Sequence, residues 1–131
     1  MTHGEVLQAF PALMALRTQR MSAAASWDLY EMIGKCTKIV EFQSDEEKKV
    51  TAEMGTAPDK DGVIQFKNKA DYDRFVKKMD QAHALKADIG DEIVIDLDDP
   101  ANRGIAISPE QMEQLRGLVA FRKGGKDHVR G

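Results

Sequence analysis

The chain holds one cysteine, three histidines and four prolines, and each scarcity removes a class of protein. With Cys36 alone no internal disulfide forms, so stability has to come from packing, as suits a reducing compartment. His3, His83 and His128 stand far apart in sequence, and no pair sits at the helical spacing a zinc site uses. Apolar runs stop after a few residues, well short of the roughly 20 that cross a bilayer, so no membrane partner is expected. The opening residues 1–5 carry no basic stretch followed by an apolar one, and a signal peptide is not expected. No serine occupies a Gly-x-Ser-x-Gly turn, and Gly124-Gly125-Lys126 lacks the strand before it and the helix after it that a phosphate loop requires.

What remains is material for one ordinary domain of 131 residues, with 42% hydrophobic residues to build its core. Acids exceed bases by 22 to 19, a net charge of −3, which argues against general attraction to phosphate backbones, and nucleic acid is not the partner expected. Seven methionines are many for this length and fill irregular cores or interfaces alike.

Helical periodicity dominates. Thr2 and Glu5 form a capping box ahead of a stripe of Val6, Phe10 and Leu13. Pro11 interrupts it, so the first helix is expected to kink or to come in two pieces, ending near Arg20. A second helix over residues 24–54 aligns Leu29, Met32, Ile33, Cys36, Ile39 and Val40 on one face, with Val50 and Met54 resuming the stripe and Gly55 supplying the stop. A helix that long packs along a partner, within the chain or in a second copy, and self-association is expected. Residues 56–62 read as a loop and residues 63–66 as a short strand. A third helix over 69–86 aligns Tyr72, Phe75, Val76, Met79 and Ala82. Ile93, Ile95 and Leu97 alternate with Val94 and Asp96 as in a half-buried strand, expected to pair with 63–66. Ser108-Pro109-Glu110-Gln111 opens a last helix whose buried face is Met112, Leu115, Leu118 and Val119. The fold expected is mostly α: a helical hairpin or small bundle over residues 1–121, with a minor two-stranded β element, a C-terminal capping helix, and a flexible basic tail over 122–131.

Few residues offer site chemistry. Glu92, Asp96 and Asp98 present carboxylates suited to Mg²⁺ or Ca²⁺, but the ligand order of a calcium loop is missing, and a solvated strand face that discourages edge pairing accounts for them. Cys36 lies on an apolar stripe, where a thiol is inert. No cofactor and no catalytic residue is expected. Two features suit binding: the basic cluster Arg122, Lys123, Lys126 and Arg130, and the aromatics Trp27 and Tyr30 at the start of the second helix.

The order of elements also resembles a family of small proteins of unknown function from tailed bacteriophages and prophages, encoded near structural genes. The likeness rests on Gly4-Glu5-Val6-Leu7 in a short first helix, a long helix running into an acid- and lysine-rich stretch, the loop Asp59-Lys60-Asp61-Gly62, a segment ending in Phe66, Glu92-Ile93-Val94-Ile95-Asp96-Leu97, and Ile107-Ser108-Pro109-Glu110. It spans about residues 2–121; Trp27-Asp28-Leu29-Tyr30-Glu31 departs from the lysine-rich start usual in that family. The resemblance implies a non-enzymatic viral protein, in the bacterial host's cytoplasm or in the virion. Such a protein works by contact with a phage structural or host protein, as a minor virion or assembly component or as an inhibitor of a host defence enzyme. A metal-dependent enzyme and a nucleic-acid-binding accessory protein stand as further alternatives.

Overall fold

The structure, a computed structural model, describes residues 1–54, 59–124 and, for the backbone alone, 126 and 127. It is mostly α with a small sheet. Helix α1 (His3–Arg17) starts at the expected capping box, with the Glu5 N–H donating to Thr2 Oγ1 and the Thr2 N–H to Glu5 Oε1. Pro11 neither splits nor ends it: the helix runs on to Arg17, with Pro11 on its solvent side and Ala12, Leu13 and Leu16 buried. On that side water can serve the carbonyl that the proline leaves without a donor. The helix stops earlier than expected, where the Thr18 hydroxyl donates back to the Ala15 carbonyl.

Helix α2 (Ala23–Glu53) is the long element that the periodicity predicted. Its start is set by Ser22, whose Oγ accepts the Ala25 N–H while its own N–H donates to the buried Asn102 side chain. Leu29, Met32, Ile33, Cys36 and Ile39 bury its first half against α1. The run from Asp45 to Lys49 is made of residues that favour helix and stays exposed or half-buried as the chain carries on to Val50 and Thr51. Gly55, the expected stop, lies outside the described residues.

Helix α3 (Lys69–His83) is capped by Asn68 and packs on the second half of α2. Val50, Met54 and Met79 form a satellite cluster there, with Phe66 and Phe75 against it. Of the five side chains expected on the inner face of α3, Tyr72 is instead exposed, its ring edge-on to Phe66. Buried Gln43 ties three helices, its amide nitrogen lying 2.9 Å from His3 Nδ1 and donating to the Ala82 carbonyl.

The β element departs from expectation in its pairing. Residues 63–66 enter no ladder. The Asp59 carboxylate accepts the N–H groups of Asp61 and Val63, closing the turn through Gly62 at φ +80°, and Phe66 is held by the satellite cluster. The strand β1 (Ile93–Asp96) pairs in parallel with β2 (Val119–Lys123), in register Ile93 to Val119 and Ile95 to Phe121. Between them α4 (Pro109–Leu115) makes the short crossover, its capping box formed by Ser108 and Gln111 as predicted. Leu118 and Val119 are buried as expected, but in a turn and a strand. The helix ends at Leu115 because Gly117 adopts φ +93°, and the β-prone Val119, Ala120 and Phe121 follow it. A short β3 (Lys126–Asp127) pairs antiparallel with β2. The boundary expected between residues 121 and 122 therefore falls inside a strand. One core joins α1, the first half of α2, α4 and the sheet, with Phe121, Leu13, Leu115 and Ile95 among its most buried side chains.

Candidate interaction surface

The sheet sets the positions of the three acidic candidates. Glu92 Oε2 accepts the Gly117 N–H at 2.9 Å, which fixes the glycine turn that ends α4. Asp96 Oδ1 accepts the Asp98 N–H at 2.9 Å, and its other oxygen faces Arg122 at 3.7 Å. Asp98 Oδ2 accepts the Gly124 N–H at 2.7 Å, holding the turn after β2. Each carboxylate is used at a different backbone position. Among the described residues no three His, Cys, Asp or Glu side chains are grouped so as to hold an ion.

Part of the basic cluster is brought together, with Lys123 opposite Lys126 across the β2–β3 pair. Arg122 and Lys123 belong to β2, Lys126 to β3, and Arg130 lies outside the described residues. Cys36 is fully buried among apolar side chains, and burial pushes its thiol up to about 11. At neutral pH it carries no nucleophilic thiolate.

Trp27 and Tyr30 are a different case. They lie one turn apart on α2, off its buried stripe, and are 61% and 69% exposed. Their rings meet at a centroid distance of 5.6 Å, tilted by 31°. Two large aromatics this open on a rigid helix are the unusual observation, since scattered small apolar groups are normal on any surface. Beside Tyr30 runs a mostly apolar groove of about 340 Å³ between the end of α1 and the start of α2. Arg17, Met21, Leu29, Ile33 and Gly34 line it. The groove wall is firm, because the connector between the two helices is pinned at both ends. Gln19 exchanges two hydrogen bonds of 2.6 Å with the backbone of Ala106, and Ser22 donates to Asn102 at 2.7 Å.

Gly34 is the part of this surface that sequence reasoning missed. It is exposed in the interior of α2, and a Cβ built there meets nothing within 4 Å. Glycine at such a position costs a helix about 0.5–1 kcal/mol relative to alanine. No internal contact requires it. A glycine off the apolar stripe of a strongly helical segment was the available signal. The surface thus consists of a paired aromatic projection and an adjoining, mostly apolar groove with Arg17, Ser26 and Glu31 among its lining residues and the exposed Gly34 at its edge. Its open rings and mostly apolar groove are suited to taking up protein side chains.

Among the described residues no helix is long and apolar enough to cross a membrane. Comparison with known proteins gives no matching family model, no matching curated protein and no matching solved structure.

Proposed function

We propose that this protein works without catalysis, by protein–protein contact through the Trp27–Tyr30 face of α2. The observation that carries the reading is the pair of exposed aromatic rings beside a preformed apolar groove. Tyrosine and tryptophan dominate contact energetics because they bury large area and lose little rotamer freedom. A groove already shaped in the free chain saves the ordering cost that a flexible loop would meet on binding. The resemblance in element order gives the setting, a minor virion or assembly component of a tailed phage.

The test is affinity capture from phage-infected cells with the wild type and with a Trp27→Ala/Tyr30→Ala variant. The proposal expects phage structural proteins with the wild type and their loss with the variant. A host enzyme captured in the same face-dependent way would make the protein an inhibitor instead. Capture indifferent to both substitutions would remove this face from the function.

A further inference from the structure

We infer that α3 is a flap, opening from the second half of α2 as one cooperative unit while α1, the first half of α2 and the sheet stay folded. The inference is independent of the Trp27–Tyr30 face, which lies on the part that stays. It starts from the division of the apolar interior in two. The main core takes its buried side chains from α1, from α2 as far as Ile39, from Ala87 and Ile89, and from α4 and the sheet. The satellite cluster has three, Val50, Met54 and Met79, with Phe66 and Phe75 against them. α2 runs through both, and between Gln43 and Val50 it buries no side chain. The apolar contacts that hold α3 are therefore separate from those that hold the rest of the fold, which is the condition for a segment to open on its own.

The ties between α3 and the main core gather at one end. The His3 N–H donates to the Leu85 carbonyl at 2.8 Å, and the Ala87 N–H to the Met1 carbonyl at 2.9 Å. A Cβ built on Gly4 would lie 3.3 Å from that of His83, so α1 crosses closely there. These contacts anchor the C-terminal end of α3. Along the helix itself Met79 is the one buried side chain, and the half-exposed ion pair of Lys78 with Glu53 adds little. Gln43 stands at the boundary. Its Nε2 is engaged by His3 and Ala82, but its Oε1 is buried and accepts from no protein group, alone in this among the side-chain polar atoms of the described residues. A buried acceptor without a donor is costly, and water reaches it once α3 moves away. The closed form thus carries a cost at the boundary that opening removes. What opening uncovers is a face of Met and Phe side chains, soft and adaptable in shape.

Residue-resolved hydrogen exchange of the full chain tests this, under conditions in which reclosing outruns exchange, with Ile95→Val and Met79→Ala beside the wild type. Relative to their unstructured rates, the amides of residues 73–83 in the wild type should exchange about tenfold or more faster than those of residues 32–39. Ile95→Val weakens the main core, which the closed and the open form share. It should speed residues 32–39 by about two- to tenfold and leave α3 unchanged. Met79→Ala weakens the closed form alone, so it should speed α3 and residues 32–39 together, by about tenfold or more. If that variant leaves α3 open outright, α3 loses its protection while residues 32–39 keep theirs, which supports the flap equally. A wild type in which α3 is as protected as residues 32–39, or an Ile95→Val that speeds both by one factor, would mean that the chain opens as a single unit and overturns the inference. A wild-type α3 with no protection at all would mean that it never closes, and overturns it as well.

Discussion

Replacing Asn102 with alanine should be among the most damaging single changes away from the apolar core. The side chain is 2% exposed and bridges two parts of the fold that are far apart in sequence. Its Oδ1 accepts the Ser22 N–H at 2.7 Å, and its Nδ2 donates to the Asp96 carbonyl at 2.9 Å. Asn102→Ala removes both bonds, each contributing about 0.5–1.5 kcal/mol, and leaves a buried gap, for a total loss of about 2–3 kcal/mol. The Asp96 carbonyl also accepts the Asp99 N–H, at a longer 3.3 Å. At about 3–5 °C per kcal/mol for a chain of this length, the melting temperature should fall by about 6–15 °C. Asn102→Asp should do at least as much harm, since a carboxylate would then face the Asp96 carbonyl. Urea denaturation followed by circular dichroism measures both. A loss below about 0.5 kcal/mol for Asn102→Ala, the scale of an ordinary surface change, would refute the claim that this bridge sets where α2 begins.

Other outcomes follow from the same contacts. Gly34→Ala should raise stability by about 0.5–1 kcal/mol, read by urea midpoint at a concentration low enough to keep the chain monomeric, because the added methyl meets open space. Cys36 should resist iodoacetamide at pH 8 in the native protein and react in urea. Its thiol is raised from 9.0 to about 11 by burial, so the stability this lends is complete below pH 9 and is lost as pH climbs through about 11. Native alkylation as fast as in urea would contradict that burial. Glu92→Ala and Asp98→Ala should each lower stability by about 0.5–1.5 kcal/mol by releasing the N–H groups of Gly117 and Gly124. Millimolar Mg²⁺ or Ca²⁺ should leave the wild-type melting temperature unchanged, whereas an upward shift would mean that these carboxylates bind a cation.

The parts of the fold legible in the sequence were those decided locally. The α2 stripe from Leu29 to Ile39 and the capping boxes at Thr2 and Ser108 need no distant partner to declare themselves. β2 was hidden because Met112, Leu115, Leu118 and Val119 fit a helical period, and burial does not tell a helix from a strand in so short a run. Gly117 was the break in that pattern, and its positive φ is where the helix ends. Residues 63–66 look like a strand in isolation, but pairing is a long-range matter, and β1 found its partner in β2 instead. Of the site, Trp27 and Tyr30 were visible as residues, but core or boundary packing accounted for them equally well, and only the folded chain leaves both exposed. The groove was not visible, because it arises where the end of α1 meets α2. Glu92, Asp96 and Asp98 share a sequence neighbourhood and a charge, yet Glu92 and Asp98 are engaged by the distant N–H groups of Gly117 and Gly124, and Asp96 faces Arg122, partners that only the folded chain brings near.

Trp27 is the only tryptophan in the chain, so its fluorescence reports directly on the face on which the functional reading depends. Acrylamide quenching and emission wavelength should be measured on dilute protein and on the concentrated or partner-bound form. The account predicts a readily quenched, red-shifted tryptophan when the chain is alone, and a protected, blue-shifted one once α2 is covered. An indole equally open to quencher in both forms would mean that this surface is never covered, and would contradict the central claim.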